Sequence, residues 1–283
     1  MATFRCAVHQ STWKRDLEKD LEDIGAWGYP GTETFSYVVQ KFAGREAEFK
    51  AMLDARGLQL AALYSDDNGY EPGSEAETIE RNLGIARFLQ KLGADILVYG
   101  PGRPRPDPAL PEHFEVVAHT VNEIARASHD MGVATAIHPH WQALIQDRDD
   151  VTRIFDMVDT KYAKLAVDPS HMVKAGYDPV EVCDTYGEII AYMHIKDFSQ
   201  EMNTPENNIV NEQGWTEPLV WFTELGRGVI DHKAVIESLR RSNYEGWLTV
   251  EIDLSQTTPT KSLEINSRYL IDELGFDLKS ENH

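Results

Sequence analysis

The sequence predicts an α/β fold, a single (β/α)8 TIM barrel spanning residues 1–283 with a lid-like insertion after strand seven. Three observations lead there: short β-rich runs alternate with helix-patterned stretches eight times, most connections are a few residues long, and no low-complexity linker divides the chain. Parallel strands need crossover helices, and eight of them can close into a barrel of about 250 residues. The rival, an open doubly wound sheet, calls for a glycine-rich fingerprint after the first strand. The residues after Val8, HQSTWKRD, contain no glycine.

The elements follow in order. Residues 4–8 (FRCAV) form strand one, and Leu17, Leu21 and Ile24 recur at helical spacing within residues 16–27. Residues 31–35 form strand two, followed by a helix over 46–56 that Gly57 ends as a C′ residue. Strand three covers 58–64. Ile79, Leu83, Ala86, Leu89 and Leu92 share one face of a helix over 75–92, closed by Gly93. Strand four, 96–99, leads through GPGRPRPDP to a helix over 111–131 that stops at Gly132. Strands five (133–138) and six (164–168) flank a helix over 149–158. A helix over 179–186 precedes strand seven, 190–195. The insertion, 198–224, breaks the rhythm before a helix over 232–242, strand eight at 247–251 and a last helix over 263–274.

Composition removes several function classes. With 27 basic and 47 acidic residues the formal charge is −20, which repels a phosphate backbone and an anionic membrane surface. No apolar run reaches the length of a membrane span. The first thirty residues carry charge through every turn, without a secretory or transit pattern, so an intracellular, cytoplasmic protein is expected. Cys6 and Cys183 make neither a disulfide framework nor a C-x-x-C motif and read as small buried hydrophobes.

The active site of such a barrel lies at the C-terminal ends of its strands. Strand two ends near Glu33, strand five at His138 with His140 beyond, and strand six at Asp168 with His171 three later. Strand seven ends at His194, followed by Lys196 and Asp197, and strand eight at Glu251 with Asp253. Any one of these could be an ordinary strand cap. Two imidazoles and two carboxylates on four neighbouring strands instead make a mixed N/O site for a divalent ion such as Mn²⁺, Co²⁺, Fe²⁺, Mg²⁺ or Zn²⁺. Without a cation, Asp168 and Glu251 would repel.

The remaining candidates have plainer readings. His113, His119, His129 and His232 are expected at the surface, and His9 alone is placed to face the pocket. Trp13, Trp141 and Trp221 either wall a sugar-binding mouth or belong to the core. Gly226 and Gly228 read as a turn, Arg103 and Arg105 as phosphate contacts or parts of a rigid proline loop, and DRDD at 147–150 as a solvated helix start.

The segments AIHPHWQ, LAVDPSH, YMHIKDF, ELGRGVIDHKAV and NYEGWLTVEID, in this order, resemble the xylose-isomerase-like barrels of sugar isomerases and epimerases. Within that group they look most like the inosose (2-keto-myo-inositol) dehydratases, over nearly the whole chain. The resemblance implies one divalent ion, commonly Mn²⁺, held by Asp168, His194 and Glu251, with the fourth ligand on or beside His138, so that His138 and His140 both stay open. Many ketose epimerases carry glutamate there, whereas a His-x-His strand end is familiar in the dehydratase-like branch. That branch often continues His-x-x-Gly-Thr; here Trp141, Gln142, Ala143 and Leu144 follow, and Gln146 still fits. Glu33, Trp141, Gln146 and Asp253 are the expected substrate contacts.

With one glutamate ligand, proton removal on one face and loss of a hydroxyl fit better than a two-faced exchange between paired glutamates. The expected substrate is a keto-sugar or keto-cyclitol chelated through its carbonyl and a neighbouring hydroxyl, with the ion stabilising an enediolate. The base comes from His140, His171, Lys196 or Glu251, and a second of these protonates the leaving hydroxyl. Returning the proton instead would make a ketose isomerase or 3-epimerase, the alternative reading. A DNA-repair endonuclease of related fold is disfavoured by the charge. The insertion, with Asn203, Asn207, Asn208, Trp215 and Trp221, is long enough to cover the mouth, or to serve contact in a homo-oligomer.

Overall fold

Each apolar run of the sequence becomes one stave of a closed sheet. The structure, a computed structural model, describes residues 3–14, 16–66 and 68–279. The strands are β1 (Thr3–His9), β2 (Gly31–Phe35), β3 (Gln59–Ser65), β4 (Ile96–Tyr99), β5 (Ala134–Ile137), β6 (Ala163–Val167), β7 (Ile190–Ile195), the short β8 (Asp197–Phe198) and β9 (Phe222–Thr223), and β10 (Glu245–Val250). All but β8 and β9 pair in parallel, in the closed order β1-β10-β7-β6-β5-β4-β3-β2.

Ten α-helices cross over between them among the described residues: α1 (Leu17–Trp27), α2 (Tyr37–Lys41), α3 (Glu46–Asp54), α4 (Glu75–Leu92), α5 (Pro111–His129), α6 (Arg148–Met157), α7 (Pro169–Lys174), α8 (Pro179–Tyr186), α9 (His232–Arg241) and α10 (Pro259–Asp272). Their starts are set by side chains that take up orphan backbone N–H groups: Asp178, Asp231 and Thr258 accept from Val180, Ala234 and Lys261. Gly93 closes α4 at φ 72°, a left-handed position that glycine adopts without strain. No helix among the described residues is long and apolar enough to cross a membrane.

Two apolar layers hold the barrel. The larger lies between sheet and helices, with Leu21, Ile24, Phe49, Leu89, Phe114 and Ile124 buried. The smaller fills the bore, where Ala7, Ala62, Ala136 and Ala166 leave room for Tyr192 and Trp247. Gly31 is required there, because a Cβ would lie 2.4 Å from the Trp247 ring.

Two short helices were not expected, α2 and α7. The second matters for the site: Pro169 starts it, and Asp168 caps it by accepting from Ser170 N at 2.9 Å through Oδ1. The insertion begins and ends in the β8–β9 ribbon, which pairs Phe198 with Phe222. Two of its ties to the barrel run through Lys174 and Gln142. The Lys174 ammonium donates to Asn203 Oδ1 at 2.5 Å and to Asn208 Oδ1, and it lies 4.0 Å from the Trp221 ring centre. Gln142 exchanges two hydrogen bonds with Thr216.

Candidate metal centre

Four side chains meet where β5, β6, β7 and β10 end. One donor atom each from His138, Asp168, His194 and Glu251 lies within 4.8 Å of the others, and all four residues are buried. His194 Nδ1 is 3.1 Å from His138 Nε2, 3.0 Å from Glu251 Oε2 and 3.7 Å from Asp168 Oδ2. Donors about 2.1 Å from a shared ion sit about 3.0 to 3.4 Å apart, so the cluster has nearly the size of a coordination shell. Of the two open positions for a fourth donor, the geometry brings in His138 and leaves His140 outside.

The lone pairs face the right way. His138 Nδ1 is 2.9 Å from the Pro139 carbonyl and His194 Nε2 is 2.7 Å from Glu33 Oε2. Those nitrogens carry the hydrogens, which leaves His138 Nε2 and His194 Nδ1 as donors toward the cluster. Asp168 Oδ2 and Glu251 Oε2 are buried without a hydrogen bond of ordinary geometry, the state of a carboxylate oxygen built to bind something else. Two imidazoles and two carboxylates of this kind fit a divalent ion.

Charge is compensated locally. Burial alone would raise the Asp168 and Glu251 pKa values, yet Lys196 and the neighbouring imidazoles outweigh it and hold both carboxyls well below their ordinary range. Lys196 Nζ is 3.2 Å from Asp168 Oδ2, 3.2 Å from Glu251 Oε2 and 3.1 Å from Asp253 Oδ2. Although desolvation pulls Lys196 down, these three carboxylates keep it well above its usual value. Burial, reinforced by His194, lowers His138 to about 4. His194 behaves in the opposite way: desolvation is overcome by Glu33 and Glu251, and its pKa rises.

A family model described as the xylose isomerase-like TIM barrel matches residues 21–272. The chain belongs to this family. The rhizopine catabolism protein MocC of Rhizobium meliloti is 27% identical over 276 residues, 89% of this chain and 82% of that protein. An inosose dehydratase of Clostridium beijerinckii is 25% identical over 277 residues, 92% of this chain and 90% of that enzyme. Among solved structures, the IOLI protein with a binding zinc atom superposes with a TM-score of 0.75 at 16% identity, covering 99% of each chain. The probable 3-DHS dehydratase AsbF of Bacillus anthracis gives a TM-score of 0.74 at 14% identity, covering 95% of this chain and 99% of that one. These likenesses are of fold; the dehydratase relatives support an enzyme.

In this xylose isomerase-like barrel the cluster opens into a cavity of about 580 Å³. Phe35, Tyr64, His138, His140, Glu251 and Asp253 line it, with Lys14 and Arg103 at the rim and Glu217 to Leu219 of the insertion on another side. Phe35 and Tyr64 were not singled out by sequence. Each looks like a core aromatic at a strand end, and only the closing of the barrel brings them to the mouth. His9, expected to face the pocket, is buried off the cavity wall, edge-on to Phe35 at 4.7 Å between ring centres.

The structure separates the other expected site residues. His140 Nδ1 lies 2.6 Å from the Trp141 carbonyl, so Nε2 is the free lone pair of a residue that lines the cavity. His171 packs against it, tilted by 37° at 3.8 Å between centroids, and accepts from Trp141 N through Nδ1. Burial, aided by Arg103 for His140 and by His140 for His171, pushes both imidazoles well down, so each is neutral near pH 7.

Three expected substrate contacts are placed differently. Glu33 is fully buried behind His194, off the cavity wall, because it lies two residues before the end of β2, whose last residue, Phe35, is the one that reaches the cavity. Gln146 turns inward to accept from Gln142 N at 2.8 Å and donate to Asp147. Trp141 is half-buried beside Lys174, 4.9 Å from the ammonium, and its indole is not on the cavity wall. Trp13 and Trp221 are core.

Further corrections concern groups read as surface. His113 is buried because its Nδ1 accepts from Leu110 N at the start of α5. His232 is buried against Tyr269 and 3.6 Å from Asp197 Oδ2. In DRDD, Asp150 is buried and receives Arg105 at 2.5 Å, which makes Arg105 a loop clamp. Gly226 and Gly228 do form a turn, both donating backbone N–H to Asp197 Oδ2 at 3.0 Å.

Proposed function

We propose that the chain is a divalent-metal-dependent dehydratase of a keto-sugar or keto-cyclitol, with His138, Asp168, His194 and Glu251 holding the ion, most suitably Mn²⁺. The observation that carries this reading is the pair of buried carboxylate oxygens that face Lys196 without an ordinary hydrogen bond, set against two imidazole lone pairs at the floor of a cavity of mixed polar and apolar lining. The names of the inosose dehydratase relatives support the substrate class. A divalent ion in this site supplies Lewis-acid polarisation of a ketone, which acidifies the adjacent C–H.

The chain's own residues supply the rest. His140, neutral and with Nε2 unengaged, takes the α-proton. Lys196, buried 3.1 Å from Asp253, passes a proton through that cavity-lining carboxyl to the leaving hydroxyl as the C–O bond breaks, releasing water. Solvent then restores both groups, so one water is lost overall and no redox partner is needed. Asp253 orients a substrate hydroxyl at the mouth, and His171 holds His140 by ring packing.

The test is incubation of purified protein with 2-keto-myo-inositol and, separately, with free ketoses after elemental analysis of bound metal. Mn²⁺-dependent loss of water with a new conjugated-enol absorbance is the expected result. Exchange of an α-proton with solvent without dehydration would favour the isomerase or epimerase, and turnover undiminished by a chelator would overturn the metal role.

A further inference from the structure

Behind the donor cluster lies a second, wholly buried polar chain that does not reach the cavity. Glu33 Oε2 lies 2.7 Å from His194 Nε2 and accepts from the Tyr192 hydroxyl at 3.1 Å. The Tyr192 hydroxyl in turn accepts from Thr249 Oγ1 at 2.6 Å. The four residues come from β2, β7 and β10, and Thr249 sits beside His194 in the sheet register. Glu33 and Tyr192 therefore meet across the bore, since β1 and β10 separate their strands. Each is fully buried.

We propose that Glu33, held by Tyr192 and Thr249, is a positioning residue that fixes His194 in the tautomer and ring orientation presenting Nδ1 to the metal. An imidazole left alone exchanges its hydrogen between two nitrogens, and a carboxylate on one of them selects which lone pair is free. Here the selected lone pair is the one 3.0 Å from Glu251 Oε2 and 3.1 Å from His138 Nε2. Tyr192 serves as a second donor to the same oxygen, which stops the carboxylate from rotating away. Glu33 touches no cavity surface, so its effect on substrate is indirect.

The inference rests on the reading of the cluster as a divalent-metal centre, and the experiment separates the two. Co²⁺ affinity is measured by competition with a chromophoric chelator, together with the d–d spectrum, for the full chain and for Glu33→Ala, Glu33→Gln and Tyr192→Phe. Melting of each metal-free protein checks the fold. Glu33→Ala is expected to lose about 10- to 100-fold in Co²⁺ affinity, the usual consequence of removing a partner of a metal-bound histidine. Glu33→Gln, which keeps an acceptor oxygen in the same shape, regains part of that loss, Tyr192→Phe loses less, and the spectrum shifts in the same order. Should Glu33→Ala not fold, Glu33→Gln and Tyr192→Phe carry the comparison. Folded variants that bind Co²⁺ like the unsubstituted chain, with the same spectrum, overturn the positioning role alone. An unsubstituted chain that takes up no Co²⁺ overturns the metal centre and this role together.

Discussion

Strands β5, β6, β7 and β10 end in His138, Asp168, His194 and Glu251, whereas across the mouth β1, β2 and β3 bring up His9, Phe35 and Tyr64, with Arg103 in the loop after β4. One half gathers buried charge, supported by Lys196 and by Glu33 reaching across the bore from β2; the other offers ring faces. Tyr64 stands 5.5 Å from the His138 ring and 6.4 Å from that of His194, so the aromatic half also backs the donors. A polar rim that grips a carbonyl and a flat rim that packs a ring's C–H face suit a compact polyhydroxy ketone, and they divide binding between chelation and stacking. The division is testable by removing residues of each half and reading metal content and KM separately.

The largest expected effect comes from the charged half. Asp168→Ala should leave the protein without stoichiometric Mn²⁺ by elemental analysis. Dehydration should fall by several kcal/mol of barrier, on the order of 1,000-fold or more. Equal metal content in this variant would remove Asp168 from the donor set. His140→Ala comes next: turnover should drop about 100-fold, at the lower end for loss of a general base, with metal content unchanged. A matching loss of metal would show that His140, not His138, is the fourth ligand. In the aromatic half, Tyr64→Ala should raise KM while sparing metal content. A fall in metal content there would mean that the rings hold the donors in place and that the two halves are one unit.

The two halves also differ in how far the sequence revealed them. Asp168, His194 and Glu251 were visible because an imidazole or carboxylate after an apolar run has few reasons to end a strand, and their motifs repeat a family pattern. Phe35 and Tyr64 were not, since an aromatic at a strand end is what packing also selects. Glu33 was seen but assigned the wrong surroundings: it was read as the end of strand two, while that strand runs on to Phe35 and Glu33 points into the bore, a direction that depends on contacts across the barrel. His113, His232 and Asp150 failed for a related reason. Their burial follows from partners such as the Leu110 N–H, Tyr269 and Arg105, which lie in capping or tertiary contacts that spacing alone does not report.

The smallest expected effect tests whether compensation of buried charge is special to the donor half. Asp20, on α1 behind the aromatic half, is buried with both carboxylate oxygens lacking a hydrogen-bond partner among the described residues. Burial, with Asp16 adding repulsion and Lys41 and Arg56 too weak to offset it, pushes its pKa from 3.8 to about 9. A carboxyl with a raised folded-state pKa binds its proton in the native chain and releases it in the unfolded one across that window. Stability is therefore fullest below about pH 4, declines as pH rises toward 9 and levels off beyond. Asp20→Asn removes the titration, but its own unpaired amide costs about 1–3 kcal/mol, so the net gain at pH 7 is roughly 1–3 kcal/mol. Urea unfolding at pH 4, 7 and 9 reads this directly: the variant should gain on the unsubstituted chain as pH rises. A constant difference across the three would mean that Asp20 is as well compensated as Asp168, and that the donor half holds no monopoly on buried, partnered acids.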